Sequence, residues 1–362
     1  MDTKKNIGIL TFHNTLNYGS FLQTMGLYKT VESLGYDCKV IDYNCKAIEE
    51  AEIPQFSIES YHPKKIAKYF LVTRHIEKKY NRFQKDMRSF MDLSERYTSE
   101  NICESNKVFD TFLVGSDLLW DLKLTHNDLT FFLDFVENPN KKYSFATSIG
   151  GEWNDDEIEE VKNYILDFKK ISIRENISAK WFKELFPEKE ISVVCDPTML
   201  CETSYWDELS QHGKKTPDYA YVIVYFHTEE MIKDVKKYAY ENHLRIICIG
   251  SDYRYLGMRY TIPESVCDWL KLIKNAEAVF TASYHGLLFS LYFHKMVFAY
   301  YRSNIGHNIR IIDVLTTLGI EKECSFISDT SGKIDYRQVD SKIGDIRQRS
   351  VNVLKDYWES DD

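Results

Sequence analysis

The opening of the chain constrains its fold most. Ile7-Gly-Ile-Leu-Thr-Phe12 is an apolar run of strand length. From Tyr18 to Leu34, Phe21, Met25, Tyr28, Val31 and Leu34 recur at helical spacing, and Gly35 ends the pattern. Cys38-Lys-Val-Ile-Asp-Tyr43 is a second apolar run. A helix carrying the chain from one strand to the next returns it to the same end of the sheet, so this β-α-β opening predicts a parallel sheet.

The pattern continues. Strands are expected at Thr111 to Val114, Lys142 to Thr147, Ile171 to Ile173 and Ile191 to Cys195. Ile158, Val161, Tyr164, Ile165 and Phe168 give an apolar helical face between the second and third of these. A second α/β series starts near Tyr219. It comprises Tyr219 to Phe226, a helix Glu229 to Glu241, Leu244 to Ile249, and Val279 to Thr281. A chain of 362 residues favours two domains over one. The expected division is an N-terminal α/β domain, residues 1–205, a C-terminal α/β domain, 206–340, and a helical tail, 341–362. The tail segment Val351 to Trp358 can pack back on the first domain. The fold class expected is α/β, with two facing Rossmann-like domains and a cleft between them. Between Lys46 and Asn106 the pattern is less regular, with one helix expected from Pro63 to Met91; its Lys64, Lys65, Lys68, Lys78 and Lys79 read as a solvated face.

Charge and composition narrow the function. With 46 basic and 55 acidic side chains the net charge is −9, which disfavours a general nucleic-acid binder while allowing a local basic pocket. The first residues lack the order of a secretory signal. The apolar stretch Val279 to Tyr300 is interrupted by His285, Gly286, His294 and Lys295, so no transmembrane segment is expected. Eight scattered cysteines read as core residues in a reducing cytoplasm rather than as metal ligands. The 25 tyrosines and 21 phenylalanines read first as core, and second as the lining of a sugar groove.

Chemistry-bearing letters gather at strand ends. In Val279-Phe-Thr-Ala-Ser-Tyr-His-Gly-Leu-Leu-Phe-Ser290, His285 falls where a strand gives way to a helix. That junction lies at the carboxyl edge of a parallel sheet, where helix N–H groups receive anions. Ser283, Tyr284 and Gly286 share the turn, and His285 is expected to bind an anion or exchange a proton. Arg174 ends Ile171-Ser-Ile-Arg, and its planar fork can take two oxygens of a carboxylate or phosphate, with Glu175 beside it. Asp117, after Leu113-Val-Gly-Ser116, is a turn acceptor or a proton acceptor, and Trp120 is core or a sugar platform. Asn14 or Asn17 caps the first helix, next to Tyr18 and the close-approach Gly19. Asp196 reads as a turn-former. Arg310 either extends a basic wall or pairs with Asp313.

Taken in order, Ile7-Gly-Ile-Leu-Thr-Phe-His-Asn…Asn17-Tyr-Gly-Ser-Phe-Leu-Gln, Val114-Gly-Ser-Asp-Leu-Leu-Trp, Ser172-Ile-Arg-Glu, Cys195-Asp-Pro-Thr-Met-Leu and Ser283-Tyr-His-Gly-Leu-Leu-Phe-Ser resemble the polysaccharide pyruvyl transferase family over residues 7–320. Leu118 stands where many relatives carry glutamine, and Ser20-Phe21 where an alanine is frequent. The resemblance implies a GT-B-like fold with an interdomain active site. It implies transfer of a pyruvyl group from phosphoenolpyruvate to hydroxyls of a cell-surface glycan or its precursor, forming a ketal. It matches the family's donor-binding arginine and histidine to Arg174 and His285. The expected donor set is Arg174, Ser283, Tyr284, His285, Gly286 and Arg310. The expected acceptor set is Asn14, Asn17, Tyr18, Gly19, Ser116, Asp117 and Trp120, with Asp117 as base. No cofactor or metal is expected beyond phosphoenolpyruvate as donor substrate. The expected partner is a glycan or lipid-linked saccharide, with attachment at the inner membrane face and homo-oligomerisation left open. Two other readings are a nucleotide-sugar-dependent GT-B glycosyltransferase and a catalytically inactive glycan-binding module.

Overall fold

The computed structural model describes residues 5–52, 72–250, 254–303, 305–326 and 332–359. The chain divides into two compact units. The first is built from residues 5–52, 84–201 and 343–359, the second from 72–83 and the described part of 202–342.

The first unit is a seven-stranded sheet, all parallel, of strands β1 (Asn6–Leu10), β2 (Asp37–Tyr43), β3 (Leu93–Tyr97), β4 (Thr111–Val114), β5 (Lys142–Thr147), β6 (Lys170–Ile173) and β7 (Ile191–Val193). Their order is β3-β2-β1-β4-β5-β6-β7. The central strands β4 and β5 are buried at every residue, as expected where helices cover both faces of a parallel sheet. The order reverses between β1 and β4, which is the switch point where such sheets hold ligands beyond their carboxyl ends. Helix Tyr18–Ser33 follows β1, capped by Asn17, whose side chain accepts from Gly19 N at 2.9 Å. Helix Asp155–Asp167 starts on a complete capping box of Asn154 and Glu157.

The second unit has strands β8 (Tyr221–Tyr225), β9 (Arg245–Ile249), β10 (Arg259–Thr261), β11 (Ala278–Thr281) and β12 (Met296–Ala299), parallel and ordered β10-β9-β8-β11-β12. Its switch point is between β8 and β11. Helix Glu229–Glu241 follows β8 and helix Tyr284–Tyr292 follows β11.

The alternating pattern is therefore observed in both units. Three strands, β3, β10 and β12, went unmarked in the sequence. All three are edge strands, the first two of partly exposed, polar composition. The helix expected from Pro63 to Met91 is observed as Arg74–Phe90; Pro63 to Leu71, with Lys64, Lys65 and Lys68, lie outside the described residues. Lys78 is exposed, but Lys79 is buried, with its ammonium 5.1 Å from the Phe83 ring centroid. The last helix, Tyr336–Glu359, adds residues from 343 onward to the first unit. There Ser350 Oγ accepts from Cys195 N at 2.9 Å and Tyr357 donates to Ser144 O at 2.8 Å, so the tail does return to the first sheet. No helix among the described residues is long and apolar enough to cross a membrane.

Candidate functional site

At the switch point of the first unit, the loop after β1 and the turn after β4 are tied together. Gly115 has a φ of 146°, and a Cβ on it would stand 1.9 Å from Phe145 O, so only glycine fits between β4 and β5. Ser116 donates through N to Gln23 Oε1 at 3.2 Å and through Oγ to Ala146 O at 2.8 Å. Asp117 follows in the left-handed region, with φ 81°, a conformation costing about 1–3 kcal/mol that persists where the surroundings enforce it. Its Oδ2 accepts from Ser20 Oγ at 3.2 Å and its Oδ1 from Leu118 N at 3.0 Å.

Arg174 leaves β6 into the same region. Its Nε donates to Glu175 Oε1 at 2.8 Å and its Nη1 to Asp196 Oδ2 at 2.7 Å, while Nη2 is 3.9 Å from Asp117 Oδ1. All four side chains are nine-tenths buried or nearly so. Glu175 Oε1 also accepts from Ser148 Oγ at 2.7 Å, and Asp196 Oδ1 accepts from both N and Oγ of Thr198. One guanidinium is thus enclosed by carboxylates from the ends of β4, β6 and β7, with Nε and Nη1 each bonded to one of them. The expected pairing with Glu175 and the turn-forming Asp196 are both observed.

A second network lies beside the loop after β1. His13 Nε2 is 3.1 Å from Asp42 Oδ1, and Arg96 Nη1 is 3.7 Å from the same oxygen. Burial raises the Asp42 pKa, but the His13 hydrogen bond and charge, with Arg96, outweigh it and hold the carboxyl below its usual range. Asn14 donates to Glu49 Oε1 and accepts from Gln84 Nε2, both at 2.5 Å. Of the residues expected at an acceptor site, Asn14 is engaged in these bonds, Asn17 caps the helix, and Tyr18 and Gly19 are buried in its first turn.

Of the two readings of Trp120, core is the one observed, against its place in the expected acceptor set: it is fully buried, its ring stacked between Phe132 at 5.6 Å and Phe182 at 5.6 Å, with Nε1 donating to Phe131 O. With both faces covered it cannot receive a sugar ring.

In the second unit, Ser283 caps helix Tyr284–Tyr292 by accepting from Gly286 N at 3.2 Å, and its own N donates to Thr281 Oγ1. A Cβ on Gly286 would meet Thr281 Oγ1 at 2.6 Å and Tyr225 Cδ1 at 2.9 Å, so this glycine lets the helix seat against the ends of β8 and β11. His285 is buried, its ring edge-on to Tyr284 with centroids 5.1 Å apart. Arg310, from helix Ile305–Leu318, lies with Cζ 5.7 Å from the Tyr284 ring and Nη2 3.0 Å from His307 Nδ1. The structure thus brings Ser283, Tyr284, His285, Gly286 and Arg310 to one place.

Sequence reasoning missed Arg302 there. Its Cζ is 4.4 Å from the ring of Phe226, the residue after β8. Burial first, then the charge of Arg310, lowers its pKa from the usual arginine value. The signal was available: Met296-Val-Phe-Ala-Tyr-Tyr-Arg302 is an apolar strand running into an arginine, the pattern that marked Arg174. Among the described residues, no group of three or more His, Cys, Asp and Glu side chains could hold a metal ion.

Among solved structures, the chain is similar to a putative UDP-N-acetylglucosamine 2-epimerase from Listeria monocytogenes, at 10% identity over 99% of this chain and 98% of that one, with a TM-score of 0.51. It is also similar to the UDP-GlcNAc 2-epimerase from Neisseria meningitidis bound to UDP-GlcNAc (9% identity, 97% and 99% coverage, TM-score 0.47). A further match is the glycosyltransferase SnogD from Streptomyces nogalater (11% identity, 98% and 99% coverage, TM-score 0.39). At such identities only the fold is shared: two Rossmann-like α/β domains of the GT-B kind. No curated protein sequence matches the chain. The family model for polysaccharide pyruvyl transferase matches residues 17–304, a span that takes in the strand-end phrases around Asp117, Arg174 and His285, and the chain belongs to that family of transferases.

Proposed function

We propose that the protein transfers the pyruvyl group of phosphoenolpyruvate to two hydroxyls of one sugar in a cell-surface polysaccharide or its lipid-linked precursor. The products are a cyclic pyruvate ketal and inorganic phosphate. The observation that carries this reading is the gathering of His285, Arg310 and a capped helix N-terminus after β11, in a chain whose net charge is −9. Membership of the transferase family supports the reaction class.

In this reading the second unit takes the donor. The helix N-terminus at Tyr284–Gly286 and Arg310 hold the phosphate, and His285 delivers a proton to the donor's methylene carbon. That proton turns the methylene into a methyl group and makes the adjacent carbon electrophilic. One sugar hydroxyl adds to this carbon; a second then displaces phosphate, breaking the carbon–oxygen bond. Two hydroxyl protons are released and one proton is taken up by carbon, so the other leaves with phosphate or solvent. No oxidant is needed.

The first unit takes the acceptor, with Asp117 as the base for a hydroxyl. Arg174 has a role different from the bidentate donor clamp implied by the family resemblance. An anion brought to this guanidinium would meet three carboxylates around one cation. Arg174 is instead a positioning residue, holding the carboxylates of three strand ends in register and Asp117 among them. A lipid-linked acceptor would place the protein in the cytoplasm at the inner membrane face.

The test is phosphate release from phosphoenolpyruvate across a panel of soluble and lipid-linked saccharides. Acceptor-dependent release is expected. Turnover of nucleotide sugars with none of phosphoenolpyruvate would replace this reading by glycosyl transfer, and acceptor binding without either turnover would indicate an inactive glycan-binding module.

A further inference from the structure

We infer that Arg302 and Arg310 form a paired-arginine site for a phosphate group carrying two negative charges, with Arg302 as its second cation. The identity of the ligand as the donor phosphate rests on the reading given under Proposed function.

Three observations carry the pair. First, the two guanidinium groups rest on aromatic rings from neighbouring strand ends, Arg302 on Phe226 after β8 and Arg310 on Tyr284 after β11. Those strand ends are joined, since Thr281 Oγ1 donates to Tyr225 O at 2.9 Å. Second, the Arg302 backbone is held from both sides by one buried side chain. Arg302 N donates to Asn308 Oδ1 at 2.8 Å, and Asn308 Nδ2 donates to Arg302 O at 2.7 Å. Asn308 and Arg310 belong to the same helix, so one rigid element positions both arginines.

Third, Arg302 is half-buried, and burial first, then the charge of Arg310, disfavours its charged form. Two like charges in a partly buried place repel each other. Stacking on rings offsets part of that repulsion. A visiting dianion would turn the remaining repulsion into attraction. A monoanion would leave the pair with excess positive charge, so the site favours a terminal phosphomonoester over a singly charged group. Planar guanidinium forks also match phosphate oxygens in a way that a lysine ammonium does not.

The experiment is calorimetric titration of the full chain with inorganic phosphate and, separately, with phosphoenolpyruvate. It compares wild type with Arg302→Gln and Arg302→Lys, each checked for folding by circular dichroism. The expected result is that Arg302→Gln weakens both ligands roughly 10- to 100-fold, the range for one lost charge-assisted contact. Arg302→Lys should weaken them less, and the salt dependence of binding should become shallower in Arg302→Gln. Should Arg302→Gln fail to fold, a several-fold loss in folded Arg302→Lys carries the test, and wild-type affinity there would overturn the pair. Binding of both ligands by Arg302→Gln within twofold of wild type would overturn the pair and leave the pyruvyl-transfer reading intact. Loss of phosphoenolpyruvate affinity with unchanged phosphate affinity would overturn the phosphate assignment, placing Arg302 on the donor carboxylate. Arg302-dependent binding of inorganic phosphate by a wild type that ignores phosphoenolpyruvate would support the pair and overturn the donor instead.

Discussion

Replacing Arg174 separates a buried structural cation from a donor clamp. Its guanidinium makes charge-assisted hydrogen bonds of 2.8 Å to Glu175 and 2.7 Å to Asp196 and lies 3.9 Å from Asp117. Arg174→Met would leave three buried carboxylates around an apolar side chain. Removing one partner of a buried ion pair costs about 3–5 kcal/mol, which for a unit of this size lowers the melting temperature by on the order of 10 °C. Arg174→Lys keeps the charge but lacks the planar fork. One of the two short bonds is then lost, at about 1.5–3 kcal/mol. The assay is urea unfolding followed by tryptophan fluorescence, run beside phosphoenolpyruvate kinetics on the folded fraction. The structure predicts lowered stability for both variants. For Arg174→Lys it also predicts a fall in kcat through a misplaced Asp117, with KM for phosphoenolpyruvate within a few-fold of wild type. Wild-type stability in Arg174→Lys together with a hundredfold rise in KM would refute the cage and restore the clamp.

Other substitutions test the remaining parts. Trp120→Ala should cost about 3–5 kcal/mol by opening the core between Phe132 and Phe182. Acceptor KM in the folded variant should stay unchanged; a selective rise would return Trp120 to the sugar site. Gly286→Ala would force a methyl group toward Thr281 Oγ1 and Tyr225. A stability loss of about 1–3 kcal/mol by thermal unfolding is expected, with weaker phosphoenolpyruvate binding. An unchanged melting point would contradict the close seating of this helix. Asp42 has a folded pKa below its usual value, owing to His13 and Arg96 against the opposing effect of burial. Its ionisation therefore contributes stability above the unfolded pKa of about 4 and loses it as pH falls through the lower folded value. Asp42→Asn should be less stable than wild type at neutral pH, and the difference in urea midpoints should shrink toward pH of about 2; a constant difference would contradict this linkage.

The central strands and their helical crossovers were legible because strands buried on both faces are rich in apolar residues, as Asn6–Leu10 and Thr111–Val114 largely are. Edge strands carry no such requirement: Leu93-Ser-Glu-Arg-Tyr97 pairs on one side only, and its polar letters hide it. The junction at His285 was legible because Ser, Gly and an apolar helix announce a cap locally. The cage around Arg174 was not. Glu175 is its neighbour in the chain, but Asp117 and Asp196 reach it from β4 and β7, and that meeting depends on the order of strands in the sheet. Trp120 shows the same limit from the other side. An aromatic letter after a strand end does not reveal which way its ring turns, and here Phe132 and Phe182 were waiting for it.

The most direct measurement uses phosphoenolpyruvate labelled with oxygen-18 in the bridging position and carbon-13 at the adjacent carbon, turned over with an accepted saccharide. Displacement at carbon predicts that the oxygen-18 leaves in phosphate and that carbon-13 NMR shows a ketal carbon bonded to two sugar oxygens. Oxygen-18 retained in free pyruvate, with a phosphorylated saccharide as product, would mean that the phosphorus–oxygen bond had broken and that the protein transfers phosphate rather than a pyruvyl group.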